Sequence, residues 1–367
     1  MIQRLYVHNY RCFENFELRL GAMSSVLLIG RNGSGKSTVR SVLELFQSIA
    51  RGTNRVRDLV DPAECTLGRS GVPIRFEIEV TLADGNVYAY ELAFELPDGF
   101  KEMRVAHESL TVNGNSVFYR DKAKVSLEKG TDVSFQVDWH LVALPVILVR
   151  DESDPIHMLR AWFTRMVIIA PSPRLIDGYS TGDCLTPNLD VSNFGEWFTG
   201  LLSQSPSAYA AMDTFVREVM PDFTDIKNPI IGPDSRALSV QFQHGDDQMT
   251  VPFGSLSDGE KCYFICSLVL AAQQSCGPIF CFWDEPDNHL ALSEVAHFVM
   301  ALRRAFQAGG QILVTTHHSE SIRSFSDENT LYLYRRSHVE PTGVRPIGDL
   351  GIHGDYVDAL IRGDVEP

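Results

Sequence analysis

Gly30-Arg-Asn-Gly-Ser-Gly-Lys-Ser37 is the stretch from which the rest of the chain is read. Gly30, Gly35, Lys36 and Ser37 satisfy G-x-x-x-x-G-K-[ST]. In this pattern small residues, here with Asn32 and Gly33 between them, let backbone N–H groups wrap phosphates; the lysine reaches the terminal oxygens and the hydroxyl holds Mg²⁺. Outward on one side, Val26-Leu-Leu-Ile29 reads as a buried strand. On the other, Val39, Val42, Leu43, Phe46 and Ile49 recur with a helical period, so the loop opens a helix whose N-terminus favours an anion. A bound nucleotide is expected.

The chain has 367 residues, enough for one large or two ordinary domains. Its 47 acidic and 32 basic side chains give a formal charge of −15, which argues against a general nucleic-acid coat but leaves room for a local basic patch. The N-terminal Met-Ile-Gln-Arg-Leu-Tyr has no signal-peptide pattern, and no apolar run approaches the ~18 residues that span a bilayer. A cytoplasmic protein without a membrane partner is expected. The seven cysteines form no CxxC pair and no zinc-like spacing with histidine, so they read as reduced, buried thiols. Cys262 and Cys266, one helical turn apart, read as a core-facing pair.

Along the chain, Leu5 to Val7 and Phe16 to Leu20 form an entry hairpin turning near Asn9 to Cys12. Ile74 to Leu82 alternates apolar with polar residues, Asp84-Gly-Asn86 turns, and a second alternating run follows from Tyr88 to Phe94. Further β-like runs flank Asn113-Gly114 and reach Val137, so an antiparallel sheet fills about residues 72–138. The acidic run Asp151 to Asp154 reads as a solvated loop, and Met166 to Ala170 as a buried strand. Residues 193–220 are helical, with two apolar stripes broken at Ser205-Pro206.

A second constellation begins about 220 residues after Lys36. It comprises Leu256-Ser-Asp-Gly-Glu260, Ile279-Phe-Cys-Phe-Trp-Asp-Glu-Pro286 and Ile312-Leu-Val-Thr-Thr-His317. The middle piece is an apolar strand that delivers Asp284 and Glu285 to its C-terminal end. There the first carboxylate can support a metal and the second can take a proton from water. His317 follows a third apolar strand and is expected at the same sheet edge.

The order of these motifs resembles the ABC-type ATPases of the RecF/SMC branch, including those of OLD and PtuA anti-phage systems. The likeness covers Asn9-Tyr-Arg-Cys-Phe13, the Gly30–Thr38 loop, and about residues 253–335. It implies an α/β fold: an ABC-type P-loop ATPase head with a mixed sheet, an antiparallel β subdomain and a helical lid. The implied layout is an N-terminal lobe at 1–70, a β-rich insertion at 71–190, a lid at 191–250 and a C-terminal lobe at 251–367. ATP and Mg²⁺ are the implied cofactors. Lys36, Ser37 and Thr38 would grip phosphates and Mg²⁺, Asp284 would support the metal, Glu285 would be the catalytic base and His317 the switch histidine. Leu256 to Glu260 would be the family's signature motif, whose Ser257 and Gly259 would contact the γ-phosphate bound to a second copy, giving a homodimer closed around ATP. Arg11 reads either as a nucleotide contact or as a hairpin-surface arginine.

Departures from the pattern are Ala291, where a D-loop aspartate is common, and His318, where serine is common. For the family's Q-loop, Gln136 is one candidate and Pro171 to Arg174 another. No heptad run exists to form an SMC-like coiled coil, so the compact RecF-like layout is expected. Arg40, Arg51, Arg55 and Arg57 read either as DNA-phosphate contacts or as a solvated edge. The stretch after His317 is short for a Toprim nuclease, so any nuclease or toxin activity is expected from a partner effector. Three functions stay open: an ATPase controlling such an effector in anti-phage defence, a RecF-like repair ATPase, and an ATP-binding scaffold with little turnover.

Overall fold

The computed structural model describes residues 1–128, 132–149, 151–325, 327–350 and 356–362. Two units divide the chain. Unit 1 holds Met1–Met23, Leu28–Met166 and the chain from Leu331 on, and unit 2 holds Ser24–Leu27 and Val167–Thr330.

In unit 1, β1 (Ile2–His8) pairs antiparallel with β2 (Phe16–Arg19), Val7 opposite Phe16. After β3 (Ser25–Ile29) and α1 (Lys36–Ala50), the alternating runs become β4 (Ile74–Thr81) and β5 (Val87–Glu95). Then come β6 (Arg104–Val112), β7 (Asn115–Asp121), β8 (Lys124–Glu128) and β9 (Asp132–Gln136). They form one antiparallel sheet of order β2-β1-β4-β5-β6-β7-β8-β9, in which almost every neighbour in space is a neighbour in sequence. The strand β6 reaches back to Arg104, and its pairing with β5 shifts register at Ala93/Phe94.

The helix α1 packs its apolar stripe on this sheet and on α2 (Pro155–Thr164). Phe46 of α1 stacks on Phe163 of α2 at 5.4 Å between centroids and meets Phe76 and Tyr90 edge-on at 6.4 and 6.0 Å. Asp154, the last residue of the acidic run, accepts from the Ile156 amide and caps α2.

An ion pair lies inside this core. Glu108 and Arg120 are both 0% exposed, and their charges are spent on several partners each. Glu108 accepts from Tyr90 Oη at 2.9 Å and from the Ala143 and Leu144 amides at 2.7 Å each. Arg120 donates to the carbonyls of Lys122, Asp138 and Leu141 and to Glu108. Burial pushes the Glu108 carboxyl up and the Arg120 guanidinium down, each opposed by its hydrogen bonds and by the other's charge. The pair ties the sheet to the chain at 138–144.

Unit 2 begins with β10 (Val167–Ile169), β11 (Tyr179–Ser180) and the two helices α3 (Phe194–Gln204) and α4 (Ala208–Val219), which break at Ser205–Ser207. Short strands follow: β12 (Phe223–Lys227), β13 (Ile230–Gly232), β14 (Ser235–Ala237), β15 (Ser239–His244) and β16 (Asp247–Pro252). The helix α5 (Asp258–Ser275) is buried all round, as a central helix must be. Beyond it lie β17 (Phe280–Asp284), α6 (Leu292–Gln307), β18 (Gln311–Thr315) and α7 (Ser319–Arg323). The strands β10, β17 and β18 run parallel in that order and are mostly apolar and buried, as strands covered on both faces are, with Gln311 and Thr315 as buried polar ends of β18.

The chain then returns to unit 1 with β19 (Thr330–Tyr334), β20 (Gly343–Pro346) and α8 (Tyr356–Arg362). Parallel strands with helices in unit 2 and an antiparallel sheet in unit 1 give the α/β class expected. No helix among the described residues is long and apolar enough to cross a membrane.

Because Glu108→Ala leaves Arg120 and two amides buried without their acceptor, it is expected to cost about 3–5 kcal/mol, read as a lowered midpoint in urea unfolding. An unchanged midpoint would show that the pair is not structural.

Candidate nucleotide site

The phosphate loop in unit 1 is shaped by close approach. A Cβ on Gly30 would lie 2.3 Å from the Leu333 carbonyl oxygen of β19. Gly35 has φ 104°, a region L side chains rarely adopt, and a Cβ there would lie 2.7 Å from Phe13 Cε1 and 3.0 Å from Cys12 Sγ. The turn Asn9 to Phe13 is thus the wall behind the loop, and Thr38 Oγ1 is 3.5 Å from the same Cys12 Sγ.

Gly35 is also the N-cap of α1, and it supplies no side chain to the helix amides. Thr38 and Val39 donate to the Gly35 carbonyl at 2.9 and 3.1 Å; the amides of Lys36 and Ser37 stand ahead of the first helical acceptor. Lys36 is 8% exposed and its Nζ donates back to the Gly30 and Arg31 carbonyls at 2.7 and 3.4 Å. Ser34 Oγ is buried without a hydrogen-bond partner, Ser37 is exposed at the helix start, and Asn32 and Gly33 are exposed on the loop. An ammonium, first-turn amides and an orphaned hydroxyl around one helix N-terminus are a donor set that suits a phosphate chain. Arg11 is committed to this wall: it donates to Glu64 Oε1 at 2.7 Å and to Ser41 Oγ at 2.7 Å.

Within unit 2 the carboxylates gather at the ends of β17 and β18, where Asp284 stands opposite Thr315. The Thr315 hydroxyl, 0% exposed, donates to Asp284 Oδ1 and accepts from the Glu285 amide at 3.0 Å. Glu285 has φ 52°, a left-handed turn that swings its side chain off the strand, and its amide also donates to the Thr315 carbonyl at 3.2 Å. Glu285 Oε1 lies 3.4 Å from His317 Nε2, and Oε2 accepts from Asn288 Nδ2 at 2.5 Å. Asp284, Glu285 and His317 therefore meet at one sheet edge.

Asp287 is 2% exposed and accepts from the hydroxyls of Thr316 and Ser321, while the His318 amide donates to Thr316 Oγ1. His318 Nδ1 accepts from the Glu320 amide and caps α7, and Ala291 stands at the N-cap of α6.

Ser257 caps α5 in a reciprocal box: its amide donates to Glu260 Oε2 at 2.7 Å and its Oγ accepts from the Glu260 amide at 3.3 Å. The hydroxyl proton of Ser257 stays available to an acceptor outside the helix. A Cβ on Gly259 would lie 3.0 Å from the His289 carbonyl oxygen. Lys261, 4% exposed, donates to the Pro173 carbonyl at 3.0 Å, which joins the 171–174 segment to α5. Gln136 sits exposed on β9 in unit 1.

Burial pushes the Cys262 thiol up to about 12 and the Cys266 thiol well above its ordinary value, so both are protonated and unreactive near neutrality. Among the described residues no group of three or more His, Cys, Asp or Glu is arranged to hold a metal by itself. Of the arginines in and just after α1, Arg40 lies 3.9 Å from Glu44 within the helix, Arg57 lies 3.7 Å from Asp58, and Arg51 donates to the Thr164 carbonyl.

Three residues of this arrangement lie within or beside the quoted motifs but receive no role in the site from the sequence: Thr315, Asp287 and Asn288. Thr315 was legible only as the end of a strand, and no spacing rule assigns its hydroxyl to two carboxylate-bearing residues.

Comparisons with known proteins follow the same lines. A family profile described as "AAA domain, putative AbiEii toxin, Type IV TA system" matches residues 25–323. No curated protein matches the sequence. Among solved structures, an SMC head bound to the C-winged helix domain of ScpA superposes with a TM-score of 0.54 at 16% identity, over 95% of this chain and 99% of that one. An SMC head with an extended coiled coil bound to the C-terminal domain of ScpA, derived from Pyrococcus furiosus, gives 0.52 at 13% identity over 99% of each chain. At these identities the likeness is one of fold.

Thr315→Val is nearly isosteric and removes the hydroxyl that bridges Asp284 and the Glu285 amide. A loss of about 1–3 kcal/mol in unfolding free energy is expected, and full retention of stability would discount the bridge.

Proposed function

The chain belongs to this AAA-domain family and has the fold of SMC-head ABC-type ATPases, and from that premise we propose that it binds ATP with Mg²⁺ and hydrolyses it. The observation that carries hydrolysis is the pair Asp284–Glu285, organised by Thr315 and joined by His317. A protein that only held nucleotide would have no use for a second carboxylate set off its strand at a left-handed residue.

The roles follow from the donors and acceptors each residue offers. Backbone amides of Gly33, Gly35, Lys36 and Ser37, with the Lys36 ammonium, bind phosphate oxygens. Thr38 and the Cys12–Phe13 wall keep the loop in shape. Ser37 and Asp284 are the residues that would hold Mg²⁺, which when bound neutralises phosphate charge. Glu285 accepts the proton of the attacking water, and His317 orients that carboxylate.

Ser257 and Gly259 supply a hydroxyl and a small surface at the N-terminus of α5, which suits the γ-phosphate held by a second copy of the chain. ATP would then favour a homodimer, and hydrolysis would loosen it. The toxin–antitoxin description of the family supports a defence role, in which the dimer controls a partner effector, nuclease or toxin, with DNA as a further ligand. The solved SMC heads carry ScpA domains, which is a precedent for a protein partner on such a head.

Purified chain is expected to hydrolyse ATP slowly. Glu285→Gln should lower turnover about 10²- to 10⁴-fold while nucleotide affinity is kept, and Lys36→Ala should abolish nucleotide binding in a direct titration. Turnover by Glu285→Gln at the rate of the parent would sink the assignment of the base. Light scattering on Glu285→Gln with saturating ATP and Mg²⁺ should report a dimer, and a monomer there would refute the closed-dimer reading.

A further inference from the structure

The turn after Glu285 joins two parts of unit 2 that the proposed mechanism treats separately. Two residues after Glu285, Asp287 is anchored in the interior by Thr316 and Ser321. The next two residues are exposed. Asn288 Nδ2 donates to Glu285 Oε2 at 2.5 Å, so one lone pair of this oxygen is already engaged, while the other oxygen faces His317 at 3.4 Å. His289, adjacent in sequence, reaches the opposite way: its Nδ1 lies 3.8 Å from Asp258 Oδ2, and its carbonyl lies 3.0 Å from where a Cβ on Gly259 would be. Two consecutive residues therefore tie the carboxylate of Glu285 to the first turn of the signature helix.

A general base needs a lone pair aimed at the water it deprotonates, and a donor already on that oxygen competes for it. We propose that Asn288 is a positioning residue that parks the Glu285 carboxylate in the resting chain, and that displacement of the signature segment, transmitted through His289, withdraws Asn288 and frees the base. This deepens the hydrolysis reading and rests on it. In the freed state water oxygen bonds to the γ-phosphorus, the bond from that phosphorus to the β–γ bridging oxygen breaks, and the water proton passes to Glu285. ADP and phosphate leave, and the proton returns to solvent. Because Asn288 and His289 are at the surface, a second copy docking at the signature segment is the natural agent of release.

The test is steady-state ATP hydrolysis by the full chain at saturating Mg²⁺-ATP. Asn288→Ala and the isosteric Asn288→Asp, neither of which can donate to Oε2, are expected to raise basal kcat about three- to tenfold at unchanged KM, the range set by loss of one such hydrogen bond. Asn288→Gln, which keeps a donor, should stay nearer the parent rate. His289→Ala should raise kcat in the same direction. In the double variant Asn288→Ala/Glu285→Gln the gain should vanish.

Unchanged or lowered kcat in both Asn288 variants overturns the parking role, as does a gain that survives in the double variant. No effect of His289→Ala overturns the link to the signature helix. A parent and variants that are all inactive overturn the proposal together with the base assignment. Loss of turnover in Glu285→Gln alongside an unaffected Asn288→Ala would leave that assignment standing and remove only the brake. Melting temperatures accompany each variant; an exposed Asn288 is expected to tolerate both substitutions, and the Asp variant keeps the volume if Ala does not.

Discussion

Everything at the phosphate loop depends on how closely backbone and side chains crowd two glycines. Gly30 lies against the Leu333 carbonyl and Gly35 against the Phe13 ring and Cys12 thiol, at distances no side chain could enter. The same crowding leaves α1 without a side-chain cap, so the first turn must look elsewhere for acceptors. An anion satisfies that need better than water, because the helix dipole and the Lys36 ammonium act on it together. The loop is a binding device because the fold denies it a cap of its own.

Unit 2 uses a different economy. There a single buried hydroxyl, that of Thr315, sets two carboxylate-bearing residues by giving to one side chain and receiving from the other's backbone. Parallel pairing of β17 and β18 fixes the register that makes this contact, and Asp287 then pins the following turn through Thr316 and Ser321. Short polar links between adjacent strand ends hold the geometry; longer side chains, His317 and Asn288, finish it.

Much of this was legible in the sequence where local physics decides the outcome. The loop, the strand before it and the helix after it, and the β4–β5 turn all announce themselves by period or by turn residues. The break at Ser205-Pro206 was legible for the same reason. The strands β12 to β14 were not, because they are short and partly exposed and so lack a run of alternation long enough to read. Strands β15 and β16 do carry one, with Val240 and Phe242 alternating with polar residues before the turn at Gly245 and Met249 and Val251 after it, and it was passed over. The Glu108–Arg120 pair was missed although parity contains it: Glu108 shares a face with Leu110, and Arg120 with Phe118, so both charges point inward. For the site, residue types were visible as motifs, whereas the hydrogen bonds of Thr315, Asp287 and Asn288 arise from strand register and a turn, which no spacing encodes.

One consequence lies in the order of the chain itself. Unit 1 is interrupted by the whole of unit 2 and resumes only at Leu331. Its late segment supplies the Leu333 carbonyl that backs Gly30 and the Thr342 amide that donates to the Cys12 carbonyl at 2.9 Å. A ribosome therefore releases the phosphate loop hundreds of residues before the segment that seats it. During synthesis the parallel strands and α5 can fold while the loop is still unbacked, and competence for nucleotide waits until the chain from Leu331 on has emerged.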